Sequence, residues 1–314
     1  MNEWDYKGIL PALQVPFHED ESIDEPALRQ FVDWLLTHKG ITGLVTNGHT
    51  GEVFALDKNE RAEVTRVVAD QARGRVPTVS GICCEGINEA VEHAHAFEEA
   101  GASGALVMPP HMWLRFGMRQ EYVLRYFEAI GAKSKLDLIV HIYPSWTRAS
   151  YATETLVALA KMPFVKAFKI GTRDMSKYAR DVKAIRETAP EKSILTCHDE
   201  YLLPTMVQGV DGALVGFASF IPEMITELFA AVKANDLTRA AVIQERINPL
   251  KEAVYGLGEP TGDAHARMKT AMRLAGRFPN DNVRAPTSKP EGQELARIEA
   301  AVANAGLVMR EAAE

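Results

Sequence analysis

The sequence has few cysteines and no long apolar run, and each absence excludes a class of protein. Among 314 residues the only cysteines are Cys83, Cys84 and Cys197. An odd, low count argues against a disulfide framework and is typical of a reducing compartment. No apolar stretch approaches the roughly 20 residues that a membrane-spanning helix needs. The first residues are polar and acidic, unlike a signal peptide, so we expect a cytoplasmic protein without a membrane partner.

Basic residues are also fewer than acidic residues. The chain has 35 Lys and Arg against 42 Asp and Glu, for a net charge of −7, and no basic stripe. Nucleic acid is therefore a poor partner, and a small molecule is the better expectation. A Gly-rich GxGxxG turn after an early strand is absent as well, which disfavours an open dinucleotide-binding sheet.

Apolar strand-like segments alternate eight times with amphipathic helix-like segments. The apolar segments are continuous, as expected for parallel strands covered on both faces. Eight such units close into a (β/α)8 barrel, the TIM barrel of the α/β class. We assign residues 1–235 to this barrel and 236–314 to C-terminal helices packed on it. The predicted strands span residues 9–17, 43–48, 77–83, 104–109, 136–143, 165–172, 193–197 and 212–217.

The sixth predicted strand carries Lys169 near its carboxyl end, in the sequence VKAFKIGT. Burial lowers the pKa of a lysine amine and makes it a usable nucleophile. The functional interpretation is a lysine that forms a Schiff base. The structural alternative is a strand-end lysine whose stem packs and whose head reaches water.

The active site of such a barrel lies where its strands end. The second strand ends in the turn Gly48-His49-Thr50-Gly51-Glu52, whose backbone N–H groups and Thr50 hydroxyl suit a carboxylate. A plain Gly-rich turn is the alternative. Together with Lys169, the turn suits a 2-oxo acid, because one part binds the anion and the other forms the imine.

The chain resembles the superfamily of dihydrodipicolinate synthase and N-acetylneuraminate lyase, which are class I, Schiff-base-forming lyases. The matching segments are PALQVPF near the start, GHTGE at 48–52, Pro144-Ser145, FKIGT with Lys169, and GALVGFAS at 212–219, which includes Gly216. The resemblance implies the barrel with C-terminal helices, a homotetramer or homodimer, and no cofactor beyond the imine on Lys169. It also implies that Thr50 and the backbone of its turn bind the 2-oxo acid carboxylate.

Four positions depart from the synthase pattern. His141 stands where most members have a tyrosine, and His49 stands where the synthase branch has a threonine. Met112 replaces the second relay tyrosine, and Trp146 replaces the arginine that binds the dicarboxylate. We therefore expect a lyase other than dihydrodipicolinate synthase. The run from Pro110 to Trp113 is similar to hydratase-aldolases that act on aromatic benzylidenepyruvates.

Histidine is the residue whose ordinary pKa best suits acid–base work near neutral pH. His141 is our first candidate for the acid/base beside the imine and Tyr143, two residues on, the second. We expect His49 and His198 to contact the substrate. Trp113 and Trp146 are expected to form an aromatic wall, and Arg148 is a candidate replacement for the lost arginine. The alternatives are rim histidines with satisfied partners, core tryptophans and a solvated arginine.

The rim residues also raise the question of a metal. His49, His141, His198 and Asp199 are candidates to converge as ligands. We expect no metal there, because a metal would leave Lys169 without a role. His93 and His95, two apart on a predicted helix, are expected at the surface.

The sequence thus predicts a Schiff-base lyase on a 2-oxo acid. It is an aldolase or hydratase-aldolase that releases or uses pyruvate, with an apolar or aromatic aldehyde as the other half. One alternative is a dehydratase of a 2-keto-3-deoxy sugar acid, which uses the same lysine. An alternative from another class is a non-catalytic barrel that binds a keto acid.

Overall fold

The computed structural model describes residues 4–144, 147–257 and 261–307. Within them one parallel sheet has eight strands, and each strand from β2 to β8 pairs with its neighbour in the chain while β8 pairs with β1. Parallel bridges join Ile9 to Ile41 and Ala12 to Val45, which closes the gap between β1 and β2. The predicted TIM barrel is confirmed. Its strands are β1 (Gly8–Pro11), β2 (Leu44–Thr46), β3 (Thr78–Ile82), β4 (Gly104–Val107), β5 (Asp137–Ile142), β6 (Val165–Ile170), β7 (Ser193–Thr196) and β8 (Gly212–Val215).

Helices follow the strands in the predicted alternation, and three more follow the barrel. None of the described helices is both long enough and apolar enough to cross a membrane. Their bounds are α1 (Glu25–Leu35), α2 (Lys58–Ala72), α3 (Ile87–Glu99), α4 (His111–Phe116), α5 (Gln120–Gly131), α6 (Thr153–Ala160), α7 (Met175–Thr188), α8 (Leu202–Met206), α9 (Phe217–Phe220), α10 (Pro222–Lys233), α11 (Leu237–Tyr255), α12 (Ala264–Leu274) and α13 (Gly292–Asn304).

Local sequence explains where the helices begin. Asp57 caps α2 by accepting from the backbone N–H groups of Asn59 and Glu60, and Glu60 accepts from the Asp57 N–H in return. This reciprocal capping box satisfies donors that a helix start leaves open.

Two elements differ from the prediction. The first strand ends at Pro11 rather than residue 17, and Phe17 instead bridges antiparallel to Ile23. Pro16 lies within the missing part, and a proline has no N–H to extend a ladder. The segment after β4 forms the short helix α4, which Gly117 ends with a φ of 76°.

His93 is a further correction. It was expected at the surface, but its side chain is only 2% exposed and its ring stacks on Phe97. The reason is that α3 turns His93 toward its buried face, beside Ala90 and Ala94. His95 is exposed, as expected.

The strands alternate between two apolar layers, and this alternation aims the functional side chains. An inner cluster fills the barrel and includes Leu10, Val45, Leu106, Ile139, Ala167, Leu195 and Leu214. Successive strand residues point to opposite faces. Lys169 and His141 each lie two residues beyond an inner member, Ala167 and Ile139, so both point into the barrel at its carboxyl end.

Candidate active site

Lys169 lies beside His141, because β5 and β6 pair these two residues directly. Both line a cavity of about 210 Å³ at the carboxyl ends of the strands. Thr50, Cys197 and Gly216 line the same cavity. The barrel therefore brings residues from the second, fifth, sixth, seventh and eighth predicted strand ends to one place.

His141 is buried and uncharged in this setting. Its Nε2 lies 3.6 Å from the Cys197 sulfur, and its Nδ1 has no partner among the described residues. Burial, and next the charge of Lys169, hold the pKa of His141 well below the usual value. The imidazole beside the lysine is therefore neutral and has a nitrogen lone pair available to a bound substrate, although its lowered pKa makes it a weaker base than a free imidazole.

Tyr143 and His49 form a second polar pair at the cavity. The Tyr143 hydroxyl lies 3.0 Å from Nε2 of His49. Burial raises the pKa of Tyr143 well above its usual value and lowers the pKa of His49 to about 3, with Lys169 as a smaller cause. The pair therefore joins a protonated phenol to a neutral imidazole, and the tautomer of His49 decides which of the two donates.

The Gly-rich turn forms a 3₁₀ helix over His49–Gly51, and it buries Thr50. Two glycines permit its position. A Cβ on Gly51 would lie 2.8 Å from the Leu13 carbonyl oxygen, and one on Gly216 would lie 3.0 Å from the Thr50 hydroxyl. No atom lies within 4 Å of a Cβ placed on Gly48, so close packing does not explain that glycine.

Asp199 accepts hydrogen bonds at the end of β8. Its carboxylate accepts from the N–H groups of Gly216 and Phe217, at 3.2 and 2.8 Å, and from the Tyr255 hydroxyl at 2.8 Å. Burial raises the pKa of Asp199 to about 7. Tyr255 ends α11, and the sequence analysis did not single it out. The hydrogen bond from Tyr255 connects helix α11 to the mouth of the barrel.

Helix α12 supplies two more residues that the sequence analysis missed. His265 lines the cavity, and burial lowers its pKa to about 4. Lys269 is fully buried, forms an ion pair with Glu52 of the Gly-rich turn, and donates to the Asn282 carbonyl oxygen at 2.9 Å. This ion pair connects helix α12 to the Gly-rich turn.

The arginine at the cavity is Arg173, not Arg148. Arg173 lies in the loop after β6 and pairs with Glu200 at 2.5 Å, and both line the cavity. Arg148 is exposed, and it donates to the Arg115 carbonyl oxygen at 3.2 Å. The available signal was the position of Arg173 four residues after Lys169.

The expected aromatic wall is not where we placed it. Trp113 packs on Tyr126, at 5.8 Å between ring centroids, and lines a separate pocket behind α4. Trp146 lies outside the described residues. Tyr143 and Tyr255 are the phenol rings that line the cavity among the described residues, and Phe54, which is 62% exposed, stacks on His49 at 5.3 Å.

His198 is buried and lines the cavity, and burial lowers its pKa to about 3. Its Nε2 has no partner among the described residues. The metal set considered from sequence does not form, since Asp199 points to β8. Among the described residues, the ligating atoms that lie close together belong instead to His49, Cys83 and His111.

Comparison with known proteins agrees with this geometry. A family model described as the dihydrodipicolinate synthetase family matches residues 5–305. The chain belongs to this family. It is therefore a lyase of the class I, Schiff-base type that uses pyruvate, rather than a non-catalytic barrel.

Individual relatives are moderately similar over nearly the whole chain. The 4-hydroxy-tetrahydrodipicolinate synthase of Acidiphilium cryptum is 30% identical over 303 residues, which cover 96% of this chain and 99% of that protein. The protein of the same name from Rhizorhabdus wittichii is 31% identical with the same coverage.

Solved structures show the same fold. YagE, a prophage protein of Escherichia coli K12 solved with pyruvate, superposes with a TM-score of 0.88 at 23% identity, over 96% of this chain and 99% of that one. Dihydrodipicolinate synthase from Bacteroides thetaiotaomicron gives 0.87 at 26% identity, over 97% and 100%.

The Asp199 contacts yield a prediction about stability. Tyr255→Phe removes one donor from a buried carboxylate, so we expect the free energy of unfolding to fall by about 1–3 kcal/mol. Tyr122→Phe is the matched control, because Tyr122 is 44% exposed and loss of its hydroxyl should change stability by no more than about 0.5 kcal/mol. Denaturant unfolding measures both. Equal stability of the two variants would contradict the anchoring role of Tyr255.

Proposed function

We propose that the protein is a pyruvate aldolase that breaks or forms a carbon–carbon bond through an imine on Lys169. One observation carries the proposal: Lys169 points into the cavity in direct register with a buried, neutral His141. The lysine supplies the nucleophile, and the imidazole supplies a proton acceptor within the same layer of side chains.

The steps balance with these residues alone. In cleavage, the Lys169 amine adds to the keto carbon of the 2-oxo acid, and loss of water gives the iminium. His141 takes the proton of the 4-hydroxyl group as the C3–C4 bond breaks, the aldehyde leaves, and the electron pair enters the iminium to give an enamine. Protonation of the enamine and hydrolysis of the imine release pyruvate and the free amine.

Binding roles are assigned to the remaining polar groups. The Thr50 turn holds the carboxylate of the 2-oxo acid, since its hydroxyl is buried beside Gly216. The Tyr143–His49 pair holds the oxygen that leaves or arrives during imine formation. His49 and His141 stand at two positions where the synthase pattern requires hydroxyl groups, so a reaction other than that of the synthase is favoured.

The described residues that line the cavity favour a substrate whose aldehyde part, beyond the pyruvate part, is polar. Arg173, Glu200 and His198 face the cavity, while Trp113 does not. The cavity of about 210 Å³ corresponds to about seven water molecules at roughly 30 Å³ each. We therefore infer a small hydroxylated or carboxylated aldehyde in place of the aromatic aldehyde expected from the tryptophans.

The same polar wall also fits a second candidate, the dehydratase of a 2-keto-3-deoxy sugar acid. Arg173 and Glu200 are suited to hold hydroxyl groups along a sugar-acid chain. Such an enzyme uses the same Lys169 imine but expels water instead of an aldehyde.

A product assay separates these reactions. We expect a 4-hydroxy-2-oxo acid with a hydroxylated tail to yield pyruvate and aldehyde in equal amounts. We expect Arg173→Met to lower kcat/KM for this substrate, while the matched Arg148→Met leaves it unchanged. A new 2-oxo acid with all carbons retained and no pyruvate would contradict aldol cleavage and support dehydration. Faster turnover of a benzylidenepyruvate would contradict the polar second half.

A second prediction assigns the acid/base. His141→Gln should lower kcat by about 10²–10⁴ because it removes the group that accepts the proton. Tyr143→Phe should act mainly on KM, and His95→Gln, an exposed control, should change neither constant. Steady-state kinetics on the preferred substrate measure all three. A larger loss of kcat in Tyr143→Phe than in His141→Gln would assign the proton transfer to the phenol.

A further inference from the structure

A group of three ligating side chains lies at the edge of the cavity and has no part in the proposed reaction except through His49. The group is His49, Cys83 and His111, and one ligand atom of each lies within 4.8 Å of the others. The residues follow β2, β3 and β4 respectively. Barrel closure therefore places two imidazoles and a thiol together from three separate strand ends.

Each imidazole has one ring nitrogen close to an oxygen atom. Nε2 of His49 lies 3.0 Å from the Tyr143 hydroxyl, and Nδ1 of His111 lies 3.6 Å from a carboxylate oxygen of Glu85. Histidines that bind metals usually have their second nitrogen held in this way, which fixes the tautomer and the ring.

Glu85 is itself held in place. Its two carboxylate oxygens accept from the backbone N–H groups of His111 and Met112, at 3.0 and 2.7 Å. The carboxylate thus fixes the first turn of α4 and places one oxygen 3.6 Å from Nδ1 of the His111 ring. This is the supporting shell that a metal-binding histidine needs.

The surroundings of the group also suit a metal. Cys83 packs with Val53 and Met108. Phe54 covers the outer side, with its ring 5.3 Å from that of His49 and 5.0 Å from that of His111. The three ligand atoms are thus shielded by apolar groups on two sides.

We propose that His49, Cys83 and His111 bind a divalent transition-metal ion of the zinc type. Two imidazoles and one thiolate select such ions over magnesium or calcium, which prefer oxygen ligands. Tetrahedral bonds of about 2.0–2.3 Å require the ligand atoms to approach one another by up to about 1.5 Å. The thiol proton leaves to solvent as the ion binds, and three protein ligands leave a fourth position open.

Cobalt titration of the full chain, stripped of metal by a chelator, tests the proposal. Because Co²⁺ reports a bound thiolate by a charge-transfer absorption, we expect this band to saturate at one ion per chain. Cys83→Ser should abolish the band, while Cys84→Ser and Cys197→Ser, which change the other cysteines of the sequence, should retain it. Zn²⁺ should displace the cobalt, and Mg²⁺ should not.

Two more variants keep the test independent of Cys83. Glu85→Gln should weaken Co²⁺ binding about 10–100-fold through the loss of support for His111, and His111→Ala should weaken it further. No band in the wild type, or an unchanged band in Cys83→Ser, would overturn the proposal. Equal affinity of His111→Ala and wild type would also overturn it. The readout needs no turnover, so it stands apart from the proposed aldolase reaction.

Discussion

Closure of the parallel sheet is the constraint on which the rest of the structure depends. The β8–β1 ladder and the bridges from β1 to Ile41 and Val45 leave no open edge among the described strands. Since all eight strands run the same way, their carboxyl ends meet at one mouth. Lys169, His141 and Thr50 are distant in sequence and become neighbours for this reason alone.

The mouth of the barrel is polar, whereas the layer of side chains beneath it is apolar. The inner cluster below is apolar, whereas His141 and His198 each carry a buried nitrogen without a partner among the described residues. An unsatisfied buried polar atom costs about 1–3 kcal/mol. Such atoms are expected where a ligand will supply the missing hydrogen bonds, and both histidines line the cavity that Lys169 also lines.

The helices after the barrel complete the site rather than only cover it. Lys269 pairs with Glu52 of the Gly-rich turn, and Tyr255 holds Asp199 against the end of β8. Both contacts are buried, so loss of one partner leaves an uncompensated group. The position of Thr50 and Gly216 therefore depends on residues far along the chain.

The sequence predicted correctly those features that follow from hydrophobic periodicity or from the position of a residue along a strand. Continuous apolar runs predicted the strands. The position of Lys169 at a strand end predicted that its side chain lies at the mouth of the barrel. Tyr255, His265 and Lys269 were missed, because a helical pattern in the tail does not say which residues meet the barrel mouth. Trp113 was misplaced because the short helix α4, which turns it toward Tyr126, leaves no clear periodic signal in six residues.

Loop residues were the other source of error. Arg148 and Arg173 both follow strand ends, and the available signal was that Arg173 lies four residues after Lys169. The pairing of Arg173 with Glu200 depends on the approach of the loops after β6 and β7. His93 was misjudged because its helix face was inferred from its separation from His95, not from the apolar residues around it.

Reduction of the protein with borohydride in the presence of pyruvate, followed by peptide mass measurement, tests the central claim most directly. The account predicts a stable adduct on the peptide that carries Lys169. The adduct should be lost in Lys169→Ala and retained in Lys166→Ala, whose residue lies on the same strand but on its opposite face. Absence of an adduct in the folded wild type, or its persistence in Lys169→Ala, would contradict the account.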